Sequence, residues 1–232
     1  LFWVIKVLTT GMGEATSDYM AAGSLVIAGG VGFLGFAVAL WLQFRVRRNV
    51  AAVYWFAVMM VAVFGTMAAD GLHKGLGVPY AVSTVFYALV LAGVFTLWSR
   101  REHTLSIHSI VTRRRETYYW LTVLATFALG TAAGDLTATT MHLGYFSSGL
   151  LFAGLIVVPA AARWRFKHEV VAFWWAYVLT RPLGASFADW FGKSRQLGGL
   201  GYGDGRVAAV STLIIIVLVG CLVIGPPTGS QR

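Results

Sequence analysis

The chain has 232 residues, 58% of them hydrophobic and only 12% charged, with a formal net charge of +9. That balance excludes a water-soluble domain of this length. The single cysteine, Cys221, excludes an internal disulfide, a thiolate metal site and a dithiol redox pair, and its place in the last apolar run predicts a buried, inert residue.

Runs of about 20 apolar residues are the length that crosses a bilayer core as helix. Eight occur in order, over 2–21, 24–44, 51–70, 81–99, 118–138, 146–162, 171–190 and 207–225. The ten-residue alternation of a membrane β-barrel is missing. The first run carries Glu14 and Asp18 and lacks a basic start and a cleavage site, so it is not read as a signal peptide. The sequence starts at Leu1, and a native N-terminal stretch is expected to precede it.

A pattern W-x9-G-x4-D recurs four times, as Trp3–Gly13–Asp18, Trp55–Gly65–Asp70, Trp120–Gly130–Asp135 and Trp174–Gly184–Asp189. Each Trp follows an aromatic residue: Phe2, Tyr54, Tyr119 or Phe173. The Trp-to-Trp spacings are 52, 65 and 54 residues, so each unit holds two apolar runs and is expected to form a helical hairpin. An even number of spans per unit gives all four units one orientation, as parallel repeats about an axis along the membrane normal. The expected fold is therefore all-α: a polytopic membrane protein of eight transmembrane helices, arranged as four parallel pseudo-symmetric hairpins. It forms one membrane domain, with repeats over 1–50, 51–112, 113–170 and 171–225. The odd helices carry the motif. The even helices read as packing material, with Gly29, Gly30, Gly32 and Gly35 letting backbones approach in the second.

Eleven of the eighteen basic residues fall in three loops: Arg45, Arg47 and Arg48; Arg100, Arg101 and Arg113 to Arg115; Arg163, Arg165 and Lys167. Opposite them stand only Lys74, Lys193, Arg195 and Arg206. This bias is an orientation signal that also suits anionic lipid, and it argues against nucleic acid as a partner. It predicts a multi-pass protein with the three basic loops and both termini cytoplasmic. The fourth outer loop, Gly192 to Arg206, has six glycines. Without a following Lys-Ser/Thr or a parallel sheet it reads as a flexible or re-entrant lid rather than a phosphate loop.

The fourfold unit, with the stretches FWVIKVLTTGMGEATSDYM and YVLTRPLGASFADWFGK, resembles a bacterial family of integral, membrane-anchored proteins made of four tandem two-helix repeats of unknown function. The likeness covers essentially the whole chain. It implies eight helices in a bacterial inner membrane and no established activity.

Five acids lie within the odd apolar runs, Glu14, Asp18, Asp70, Asp135 and Asp189, together with Lys6 and Arg181. An Asp at the centre of a membrane helix costs roughly 2.5 to 3.5 kcal/mol on insertion scales. Trp to Asp is 15 residues, about 22 Å of helix, so Trp at the inner interface sets all four Asp at one level in the outer part of the core. The residue after each motif glycine is Glu14, Thr66, Thr131 or Ala185, with Ser186 next; Thr66 and Thr131 lie one turn before their Asp and Ser186 is off by one. Glu14 and Arg181 fall at similar depths, which predicts an ion pair between the first and last repeats, either a gate or a neutralising contact. Pro182 predicts a kink or opening of the seventh helix. Five carboxylates against two bases leave an excess that protons or a cation must neutralise.

Three readings follow. The leading one is a membrane transporter or channel for cations, a divalent Mn- or Mg-like ion favoured because every converging ligand is oxygen. Asp18, Asp70, Asp135, Asp189 and Glu14 would form the metal site, Arg181 and Lys6 would gate it or balance charge, and Thr66, Thr131 and Ser186 would support it. His73 and His142 are candidate outer ligands; His103, His108 and His168 fall in the inner loops. The second reading is a structural or partner-binding subunit whose Asp ring holds the bundle together, or whose Asp simply end helices at water. The third is a membrane enzyme. Paired helical His for haem, a Ser-His-Asp set and HExxH are all absent, and Lys6, the only candidate for a Schiff base, is expected near the inner interface, so an enzyme is not favoured. No cofactor is indicated beyond a divalent metal ion; the partners are the bilayer and a metal cation or proton.

Overall fold

A computed structural model describes residues 1–46, 50–162 and 169–224. Arg47, Arg48, Arg163, Arg165, Lys167 and His168, assigned above to inner loops, lie outside the described residues. The described chain is all-α: α1 (Phe2–Ala21), α2 (Leu25–Arg45), α3 (Ala51–Asp70), α4 (Tyr80–Glu102), α5 (Arg113–Asp135), α6 (Gly144–Ala162), α7 (Glu169–Gly192) and α8 (Asp204–Ile224). Five helical stretches are long and apolar enough to cross a membrane: Leu25–Arg45, Ala51–Gly75, Tyr80–Glu102, Arg113–Thr140 and Asp204–Ile224. In α1 and α7 the apolar run is interrupted by Lys6, Glu14 and Asp18 and by Arg181 and Asp189.

The four odd helices touch in cyclic order, α1 to α3 to α5 to α7 and back to α1. Each even helix packs chiefly on the odd helix that follows it: α2 on α3, α4 on α5, α6 on α7, and α8 on α1. The two helices of one unit are thus not each other's main neighbours, as a simple hairpin would have it. Each even helix instead fastens its own unit to the next. The even helices leave wide apolar faces exposed, with Val26, Ile27, Leu34, Leu89, Leu213 and Ile216 outermost, the kind of surface that lipid covers.

The motif glycines explain how the odd helices come so close. A Cβ built on Gly13 would fall 2.5 Å from Ala62 Cβ, and one on Gly65 would fall 2.6 Å from Phe127 Cβ. On Gly130 it would fall 2.7 Å from Arg181 Cβ, and on Gly184 2.8 Å from the Val7 carbonyl oxygen, hard against Thr10. In all four cases a motif glycine meets the residue three before the motif glycine of the next unit. The glycines of α2 behave differently. Gly29 and Gly30 face open space, and Gly32 and Gly35 meet only the Met67 and Met60 side chains.

Three further expectations are corrected. Cys221 is exposed, on the outer side of α8. Helix α7 runs on through Pro182, so the opening expected there is absent. The glycine-rich stretch after α7 folds back as a cap: the amides of Leu200, Gly201, Tyr202 and Gly203 donate to the carbonyls of Trp190, Lys193, Phe191 and Gly192. Those carbonyls have no intrahelical partner at a helix end. Positive φ at Gly198, Gly201 and Gly203 permits the path.

Candidate functional site

Three layers lie along the bundle, one for each element of the repeat. The layer at the Trp end is aromatic. The four aromatic-Trp pairs close into a belt of eight rings, Phe2, Trp3, Phe173, Trp174, Tyr119, Trp120, Tyr54 and Trp55. Neighbouring centroids are 5.2, 5.6, 5.3, 6.2, 5.2, 5.8, 5.2 and 5.5 Å apart around the circle. The Tyr54 and Tyr119 hydroxyls are 2.6 Å apart. A cavity of about 790 Å³, lined by Phe2, Tyr54, Tyr119 and Phe173 among others, borders the belt.

The long connection between α4 and α5, which gives the 65-residue spacing its extra length, lies against this layer. Trp174 Nε1 donates to the Leu105 carbonyl at 2.9 Å, and Arg115 donates to the Ser109 carbonyl at 2.8 Å. Glu102 is buried and accepts from Arg115 at 2.7 Å and from Arg114. His103 ends α4 in the left-handed region, and His108 lines a neighbouring cavity of about 620 Å³.

The middle layer is cationic. Arg181 is fully buried, and its Nη2 lies 2.6 Å from Glu14 Oε2, 2.6 Å from Thr131 Oγ1 and within hydrogen-bond reach of Thr66 Oγ1. Its Nη1 donates to the Thr10 carbonyl at 3.3 Å. Residues of α1, α3 and α5 thus converge on one guanidinium from α7, and the ion pair expected between the first and last repeats is present. Thr66 and Thr131 serve Arg181 rather than the Asp one turn on. Ser186 Oγ is buried with no hydrogen-bond partner among the described residues. Lys6 is fully buried within the bundle, its Nζ 4.2 Å from the Phe127 and Tyr177 ring centroids, with no carboxylate partner among the described residues. Cation–π attraction takes the place of an ion pair there.

The layer at the Asp end holds the carboxylates. Asp18, Asp70 and Asp189 are buried, and Asp135 is half-buried. Glu14, Asp18 and Asp189 each offer an oxygen, and these oxygens lie within 4.8 Å of one another. Two oxygens on opposite sides of a hard cation are separated by twice a bond of roughly 2.0 to 2.6 Å, so one ion can bridge this span.

Two lysines beyond the apolar runs reach into this layer. Lys74 Nζ lies 2.9 Å from Asp70 and 3.1 Å from Asp18. Lys193 Nζ lies 2.5 Å from Asp18, 3.3 Å from Asp204 and 3.7 Å from Asp189. Burial pulls Lys193 down, but Asp189, Asp18 and Asp204 outweigh it and hold its ammonium above the usual lysine range. Among the described residues Asp135 makes no ion pair. The charge excess is therefore smaller than five acids against two bases, since Lys74, Lys193 and Asp204 all join the set. A signal for the lysines was present: in the second and fourth units the Asp is followed four residues later by Lys, one turn on. His73 is not turned to the carboxylates. It stacks on Tyr80 at 3.4 Å, and its Nδ1 lies 2.7 Å from the Val78 carbonyl oxygen. His142 is exposed.

Residues 1–49, 53–104, 118–169 and 172–224 each match the family described as Repeat of Unknown Function (DUF347). The chain belongs to that family. Each DUF347 repeat covers one odd helix and the even helix after it, so each repeat contributes one aromatic pair to the belt, one glycine contact and one motif Asp. No match was found among curated proteins or among solved structures.

Proposed function

We propose that this DUF347 protein is a membrane carrier for cations. In this reading all eight helices cross the bilayer, the basic loops and both termini are cytoplasmic, and the carboxylate ring is the cation site near the outer face. The observation that carries it is the group of Glu14, Asp18 and Asp189 oxygens within 4.8 Å of one another, offered by two odd helices. The C-terminal ends of α1, α3, α5 and α7 meet at this layer, and their dipoles add negative potential to that of the acids. Such a place repels carboxylates and attracts cations. An all-oxygen set favours a hard divalent ion of the Mg²⁺ or Mn²⁺ kind. Arg181 and Lys6 lie inward of the ring within the bundle and oppose free passage, which favours a carrier over an open channel. Asp70 and Asp135 complete the ring, with Ser186 as a supporting hydroxyl.

The test is Mn²⁺ flux into liposomes carrying the purified protein, compared with Asp18→Asn and Asp189→Asn. Flux in the wild type and its loss in folded variants is the expected result. Wild-type liposomes no leakier to Mn²⁺ than empty ones would sink the proposal.

A second reading has its own support. Lys74 and Lys193 already bridge α1 to α3 and α1 to α7 and α8, as a structural lock would. It predicts that the Asp→Asn variants lose folding rather than flux.

A further inference from the structure

We propose that Lys74 is the movable gate of the carboxylate ring, a tethered cation that an incoming one must displace, and that Lys193 is its fixed counterion. This rests on reading the ring as a cation site and names how that site is regulated. The two lysines look equivalent in sequence, each four residues after a motif Asp, yet they are held differently.

Lys193 follows α7 directly. Its amide donates to Asp189 O at 2.8 Å, and its own carbonyl accepts from Gly201 at 2.8 Å, so the glycine-rich cap fastens its backbone on both sides. A Cβ on Gly199 would collide with that carbonyl, so only glycine lets the cap close over it. The side chain is 20% exposed and faces three carboxylates from α1, α7 and α8.

Lys74 sits in a π-helical turn, Gly71–Gly75, that prolongs α3. Its side chain is 42% exposed and faces two carboxylates, Asp18 and Asp70. Gly71 and Gly77 flank it with open space, and although the Leu76, Gly77 and Val78 amides donate back to the Gly71, His73 and Leu72 carbonyls, the Lys74 carbonyl receives none of them. π-helical turns are frequent at functional sites, and a second one, Leu136–Thr140, prolongs α5. The equivalent position is Ala22 in the first unit and Thr139 in the third, so the ring carries two lysines rather than four. When the Lys74 ammonium swings outward, Asp18 and Asp70 lose one positive charge beside the Glu14–Asp18–Asp189 group. A cation can take its place without any helix moving.

A competing side chain lowers apparent affinity by the fraction of time that it leaves the site open. Removing it must therefore tighten binding. The experiment is Mn²⁺ titration of the purified protein, followed by the loss of the free-ion paramagnetic signal, for wild type, Lys74→Met, Lys74→Gln and Lys193→Met. Melting curves confirm that each variant is folded, and two uncharged replacements at Lys74 guard against one misfolding. The expected result is about tenfold or tighter binding for both Lys74 variants, with a smaller gain or a loss of stability for Lys193→Met. If the wild type binds Mn²⁺ and the folded Lys74 variants bind it no more tightly, the gate is wrong and the cation site stands. If none of the four proteins binds Mn²⁺, the cation site itself fails, and the gate with it.

Discussion

Gly184 of the last repeat abuts Thr10 of the first, closing the ring that Gly13, Gly65 and Gly130 build from one repeat to the next. Each contact leaves no room for a methyl group against its neighbour. Gly13→Ala and Gly65→Ala should therefore destabilise the bundle by about 1 to 3 kcal/mol, the range for overpacking. Gly93→Ala, where a Cβ meets nothing within 4 Å, should be neutral or slightly stabilising. Thermal melts of the purified variants check this; equal effects at Gly13 and Gly93 would contradict it.

Arg181 and Glu14 neutralise one another out of reach of water. Arg181→Met leaves Glu14 buried without its partner, a change expected to cost about 3 to 5 kcal/mol. Adding Glu14→Gln removes the stranded charge and should restore most of that loss. The double-mutant cycle measures the coupling directly, and additive effects would rule out the pair as the hub of the middle layer.

The Trp174 indole holds the α4–α5 connection by its hydrogen bond to the Leu105 carbonyl. Trp174→Phe keeps a ring in the belt and loses that bond, worth about 0.5 to 1.5 kcal/mol. The expected outcome is faster trypsin cleavage among Arg100, Arg101 and Arg113 to Arg115, with little change in the melting temperature of the bundle. An unchanged cleavage rate would mean that the connection is held by Glu102 and its arginines alone.

Much of this could be read from the residues, for identifiable reasons. Apolar runs of membrane length place helices because length alone nearly decides them, and all eight were found within a few residues of their bounds. The rule that sets Trp, Gly and Asp at fixed spacing announced that the odd helices take equivalent places in the bundle. The sequence reading treated each Trp as a separate interface anchor; that the eight rings touch in a circle depends on which helix neighbours which, and periodicity carries no such information. The even helices were assigned to their own hairpins because chain neighbours usually pack together, whereas α2, α4, α6 and α8 lie on the following unit. Lys74 and Lys193 were missed because the apolar runs end at the Asp and the eye stops there. A lysine side chain one turn beyond reaches back to its carboxylate.

The ammonium of Lys193 offers a test in alkali. A group raised above its unfolded value of 10.5 contributes fully below that pH and loses its contribution only as pH rises through the raised value. The stability difference between wild type and Lys193→Met should thus stay constant from pH 7 to pH 10. A difference that shrinks across this window would show that Asp18, Asp189 and Asp204 do not hold the charge.

The most direct measurement is the melting temperature of the purified protein in detergent, scanned against Mn²⁺, Mg²⁺, Ca²⁺, Zn²⁺, Ni²⁺, Na⁺ and K⁺. A cation that binds only the folded ring stabilises by about 2.7 kcal/mol at one hundred times its dissociation constant. A hard divalent ion that raises the melting temperature of the wild type, and not of an Asp18→Asn/Asp189→Asn double variant, is the predicted result. No shift with any cation, beside a double variant that simply melts earlier, would contradict a cation site and leave the carboxylates as a lock between helices.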